Sequence, residues 1–177
     1  MTTFRTAVFF FLTMIVLSPA VWAQACGPAS IEGRWIKAIE DQDWDAMTAL
    51  LATDARYLDF TMAYFDRPAI DLEGPEAITG FWRESSDSTQ TADIRYTLRD
   101  CFETAGIVAL NLRVDVSVSG ETWGINTDRV ALGGSQTTIL VIREGKIVEA
   151  TDYVDYAGVE RQVAALQLIH GALPESE

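Results

Sequence analysis

From Val108 to Val118 every second residue is apolar (Val108, Leu110, Leu112, Val114, Val116, Val118), and the residues between are Ala109, Asn111, Arg113, Asp115 and Ser117. A period of two predicts a β-strand over 106–119 whose two rows face opposite sides of a sheet. One row is aliphatic. The other carries an arginine and a carboxylate two residues apart. Similar alternation predicts strands over 92–100, 122–132, 137–143 and 146–156, with Gly120, Gly133-Gly134 and Glu144-Gly145 as the turns between them. Upstream the spacing changes to that of helices. Residues 29–40 carry Ile31, Trp35, Ile36, Ala38 and Ile39 behind Ser30 as N-cap, and residues 44–52 follow Asp43 as a second cap. A short strand over 55–60 places Tyr57 and Asp59 on one face. Residues 61–73 have no clean period and read as a connection or a lid. A third helix runs over 74–83, a polar connection over 85–91, and a last amphipathic helix over 158–169.

Helices followed by a run of strands predict an α+β fold. The expected form is a curved, mostly antiparallel sheet of about five or six strands wrapped around the N-terminal helices, with an internal pocket. Residues 26–177 suffice for one such domain. Residues 1–25 read as a secretory signal peptide: Arg5, an apolar run over 7–17, then small residues ending at Ala23 or Ala25. That predicts an exported protein, periplasmic or secreted, with no membrane insertion after cleavage. Lipidation at Cys26 is the minor alternative. Cys26 and Cys101 are the two cysteines, and in an oxidising compartment they are expected to pair. The net charge of −13, without a basic cluster, argues against nucleic acid as a partner. His170 is the only histidine, so no zinc-type ligand set can form, and no cofactor motif is present.

The row Val148, Ala150, Asp152, Val154 puts Asp152 among apolar neighbours. A carboxylate there is costly to bury ionised unless it is paired or hydrogen-bonded. Together with Arg113 and Asp115 it would form an acid/base unit, to which Tyr57 and Asp59 could add hydrogen bonds.

The spacings Ala-Arg-Tyr57-Leu-Asp59, Gly74-Pro-Glu-Ala-Ile-x-x-Phe81 and Glu144-Gly-Lys-Ile147 resemble the nuclear-transport-factor-2-like (SnoaL-like) superfamily. Within it, Arg113-Val-Asp115 and Glu144-Gly-Lys-Ile147 followed by Asp152-Tyr-Val-Asp155 are most similar to the limonene-1,2-epoxide hydrolase family. The resemblance implies single-step, cofactor-free addition of water to a small apolar epoxide. Asp152 would be the base, Asp115 the acid, Arg113 the bridge between them, and Tyr57 would hold the water. It also implies a homodimer, with the aliphatic row of the 106–119 strand covered from outside. The chain departs from that family in having Asp59 for an asparagine and Ala150 for a tryptophan. Two other readings stay open: isomerase, dehydratase or cyclase chemistry on a steroid- or polyketide-like substrate, with Asp59 suited as base, and a non-catalytic binder of apolar molecules.

Overall fold

The computed structural model describes residues 26–173; the export segment read over 1–25 and the last four residues lie outside them. Helices α1 (Ile31–Glu40) and α2 (Trp44–Leu50) start on the expected caps, the Ser30 and Asp43 side chains accepting from Gly33 and Ala46 N–H. Strand β1 (Leu51–Asp59) follows α2 directly. A 3₁₀ segment (Phe60–Phe65) and β2 (Ile70–Glu73) then occupy what the sequence left irregular. Helix α3 (Pro75–Ser88) continues into the expected polar connection and ends within it. Next come β3 (Asp93–Thr104), β4 (Ile107–Ser119), β5 (Arg129–Arg143), β6 (Lys146–Val154) and α4 (Tyr156–His170).

The six strands form one sheet in the order β2-β1-β6-β5-β4-β3, antiparallel throughout except for the parallel pair β1–β6. Gly133-Gly134 is not a turn. Both glycines lie inside β5, opposite Asp115 and Val114 of β4. The missing turn has a physical consequence, because a single strand keeps one parity from Val130 to Leu140.

The inner face holds two apolar clusters. One joins Trp35, Ile39, Met47, Leu50 and Ile78 of the helices to Val108, Leu110, Leu112, Leu140, Ile147 and Ala150 of the sheet. The other joins Val118, Ile125, Val130 and Leu132 to Trp123 and to Val159, Val163 and Leu166 of α4. The aliphatic row of β4 therefore faces inward along its whole length. This corrects the expectation that it faced out, and it needs no second subunit to cover it. A disulfide joins Cys26 to Cys101 (Cα–Cα 6.3 Å), tying the start of the domain to β3.

Strand β5 begins at Arg129, but β6 pairs it only from Gln136 onward, and beyond the bond from Asp155 N–H to the Ser135 carbonyl (3.0 Å) residues 129–134 have no strand on that side. The side chain of Gln162 on α4 fills part of the gap. Its carboxamide oxygen accepts from Gly133 N–H (3.1 Å) and its amide donates to the Gly133 carbonyl. One side chain thus does what a neighbouring strand would do for unpaired backbone groups.

Candidate functional site

Along the inner row of β5 the residues are Val130, Leu132, Gly134, Gln136, Thr138 and Leu140. The middle of the row is polar, and it lies between the two apolar clusters. Strand pairing sets Thr138 opposite Asp152 of β6, and the parallel pair β1–β6 sets Asp59 beside Asp152 and Tyr57 beside Ala150. Five inward side chains from three strands meet there.

Asp152 is 2% exposed and Asp59 1%. The Asp152 carboxylate accepts from Tyr57 Oη (2.9 Å) and from Thr138 Oγ1 (2.6 Å). Because the Thr138 hydroxyl donates its only proton to Asp152, its oxygen accepts, and Gln136 Nε2 supplies the donor at 2.9 Å. Asp59 accepts from Thr61 N–H (2.8 Å), from the Thr61 hydroxyl and from Tyr156 Oη (2.7 Å). Thr61 Oγ1 is held in turn by Val154 N–H at 3.1 Å. The Tyr57 ring packs on Phe81 and Trp82 of α3, with centroids 5.9 and 5.8 Å away.

Burial pushes the Asp152 carboxyl up to about 6, against the pull of hydrogen bonds from Thr138, Tyr57 and Gln136, and nearby Asp59 adds to the rise. Burial and the facing Asp152 carboxylate raise Tyr57 well above the ordinary phenol value, and burial and Asp59 raise Tyr156. The folded chain therefore keeps a proton on Asp152 that the unfolded chain has already released. Stability from this group is present below about pH 4 and is lost as pH rises through about 6. The move from 3.8 to about 6 is worth about 3 kcal/mol. Asp152→Asn should thus gain about 3 kcal/mol on wild type between pH 4 and pH 8 by denaturant unfolding. A gap that does not change with pH would mean that Asp152 titrates as an ordinary surface acid.

A cavity of about 170 Å³ opens beside this network between the sheet and α4. Val114, Val116, Leu132, Val154 and Val159 make it apolar, and Gln136 and Tyr156 are the side chains through which it meets the buried acids. Gly134 widens it, since a methyl group there would touch Val159 at 3.6 Å.

Of the residues singled out in the sequence, the fold brings together Tyr57, Asp59 and Asp152. It does not bring Arg113 and Asp115 to them. Both belong to the outer row of β4, half exposed at 44% and 45%, and they close on each other through two hydrogen bonds of 3.0 and 2.6 Å above Gly133. The expectation of an arginine bridging two pocket carboxylates is corrected accordingly. A strand with alternate faces cannot send its aliphatic row to the core and Arg113 to the pocket on the same side. Asp155 is the N-cap of α4 and accepts from Gly158 N–H (2.9 Å). The sequence reading missed Gln136, Thr138 and Tyr156. Reading 129–143 as one strand would have found the first two, as polar residues in an apolar row. Tyr156 was hidden by extending β6 to it, whereas the chain turns into α4 there.

Comparison with known proteins agrees with the fold. A protein of ketosteroid isomerase-like fold from Catenulispora acidiphila, in complex with trimethylamine, is 19% identical with a TM-score of 0.61, covering 82% of this chain and 95% of its own. A Shewanella denitrificans protein described as a candidate SnoaL-like polyketide cyclase is 18% identical (TM-score 0.67, 76% and 95% covered). An epoxide hydrolase from M. tuberculosis resembling limonene epoxide hydrolases is 13% identical (TM-score 0.58, 78% and 92% covered). At these identities the likeness concerns the fold. No curated protein matches the sequence. The model of the SnoaL-like polyketide cyclase family matches residues 29–163, which include the buried acids and every named residue of the two apolar clusters but Leu166. The chain belongs to the SnoaL-like polyketide cyclase family.

Proposed function

We propose that the chain is a cofactor-free acid/base enzyme that moves protons on a small, largely apolar substrate, in reactions of the isomerase, dehydratase or cyclase kind. The observation that carries this reading is Asp152: a buried carboxyl pushed up to about 6 and held by Tyr57 and Thr138, with a second acid alongside, in a network that Gln136 and Tyr156 link to an apolar cavity. A base with a pKa near working pH can take a proton and return it in one turnover. Tyr57 tunes and aims the base, and Asp59 fixes Tyr156 at the cavity wall.

Epoxide opening is the second reading, and the Tyr57–Asp152 contact favours it, since a tyrosine beside a basic aspartate is what holding a nucleophilic water requires. Its other half is an acid that protonates the epoxide oxygen. Arg113 and Asp115 stand on the far face of the sheet, so that acid would have to come from the Asp59–Tyr156 pair.

A panel of small epoxides, β,γ-unsaturated ketones and β-hydroxy ketones, assayed across pH, tests both readings. The rate should rise with pH through about 6 as Asp152 ionises. Tyr57→Phe should move that rise to higher pH, because the tyrosine hydrogen bond lowers the Asp152 value. A Tyr57→Phe profile superimposable on wild type would count against Asp152 as the base. Diol formation from epoxides alone would favour the second reading.

A further inference from the structure

We propose that Gly134 determines which substrates the site accepts, as the bare floor of a seat for one six-membered hydrocarbon ring. The proposal rests on the acid/base reading and adds the shape of the molecule on which the acids act.

Glycine weakens the interior of a strand, because it has no side chain to pack and loses more backbone freedom than other residues. A backbone that other residues avoid, a bulge, or the close approach of another group ordinarily accounts for one there. The two adjacent glycines of β5 differ in this respect. At Gly133 a Cβ would run into the Asp115 carboxylate and the Arg113 guanidinium and would stand 3.1 Å from the Val114 carbonyl oxygen. The sheet itself occupies that side. Gly134 has no such neighbour. Its φ lies outside the left-handed region. The β4–β5 ladder runs past it without a register shift, so it marks no bulge. A Cβ there would meet Val159 Cγ2 at 3.6 Å and the Asp155 carbonyl oxygen at 3.9 Å, both ordinary contacts. The fold would accept a methyl group at this position. What the methyl group would remove is room in the cavity.

That room has a definite size and chemistry. It measures about 170 Å³, close to the roughly 150 Å³ of an apolar cavity that holds one benzene molecule. Val114, Val116, Leu132 and Val154 of the sheet and Val159 of α4 line it, and its surface is almost entirely carbon. Gln136, the next inward residue after Gly134, also borders it and is bonded through Thr138 to Asp152. A ring lying on the Gly134 backbone is thereby seated next to the chain of side chains that leads to the base.

The test titrates benzene, and xenon as a smaller apolar probe, into the purified protein and follows the methyl resonances of Val114, Leu132 and Val159 by NMR. Wild-type protein should bind both. Gly134→Ala should weaken benzene binding by about tenfold or more, the discrimination one methyl-sized change gives in a hydrophobic pocket, and leave xenon binding within about twofold. Adding Val159→Ala, which withdraws the side chain facing the new methyl group, should bring benzene binding back to within about threefold of wild type. Gly134→Ala alone should melt at or above the wild-type temperature, since it takes freedom from the unfolded chain and strains nothing in the folded one. A lower melting temperature, or a variant that does not fold, would show that the strand needs the glycine and would overturn the proposal. So would unchanged benzene affinity in Gly134→Ala, equal losses for benzene and xenon, or no benzene bound by wild type. A protein that sorts the two probes in this way but turns over no substrate would uphold the role of Gly134 and remove only the acid/base reading.

Discussion

Asp152→Asn should lower kcat by about a hundredfold to ten-thousandfold on any substrate the wild-type protein turns over, which is the usual weight of a general base. The substitution keeps the size of the side chain and its place opposite Thr138, and the hydroxyls of Tyr57 and Thr138 can rotate to serve an amide. The loss would therefore report the missing base rather than a collapsed site, and circular dichroism should be unchanged. Asp115→Asn, which alters the partner of Arg113 on the outer face, should stay within about twofold of wild type, as an exposed ion pair is worth little. The reverse pattern, an active Asp152→Asn and a dead Asp115→Asn, would mean that the chemistry takes place on the outer face. An active Asp152→Asn alongside a dead Asp59→Asn would transfer the role of base to Asp59.

The second large effect concerns stability. Replacing Cys26 and Cys101 by alanine, or reducing the bond, should lower the unfolding free energy by about 4 kcal/mol, as the chain-entropy model gives for a closure of this length. The two cysteines are 75 residues apart in sequence, so the bond closes α1, α2, β1, β2 and α3 into one loop. It also holds the segment at Cys26 where its N–H reaches the buried Glu32 carboxylate at 2.6 Å. Without the bond that segment would peel off first and leave Glu32, 4% exposed, short of a partner. Denaturant titration with and without reductant measures the effect. An unchanged midpoint would show that the unfolded chain gains no freedom when the bond is cut.

Much of this architecture could be read from residue spacing, because caps and periodicities act locally. Ser30 and Asp43 cap the helices the pattern assigned to them, and β4 runs where alternation put it. Tyr57, Asp59 and Asp152 were legible as inward polar residues for the same reason. What failed was the choice of face. Alternation says that a strand has two rows, and burial of the aliphatic one is the cheaper outcome. The Arg113-x-Asp115 spacing drew the polar row inward by likeness to another family, although a guanidinium and a carboxylate two residues apart satisfy each other outside. Gly133-Gly134 misled in another way. Paired glycines usually mark a turn, but here one spares a clash with the Arg113–Asp115 pair and the other leaves room in the cavity. Neither reason is local, so neither shows in the sequence.

The shortfall of β6 against β5 has a consequence for how such a cavity could be resized. Gln162 bridges a notch in the middle of the sheet, and the cavity exists because α4 departs at Asp155 instead of continuing the ladder to Arg129. The volume available to a ligand is therefore governed by the residue at which a strand gives way to a helix. Moving that switch point by two residues would shift the helix along β5 by a whole pleat while keeping the same side chains facing in. Relatives with longer or shorter ligands could be reached by insertion or deletion of residue pairs before the cap, with no substitution among the buried acids.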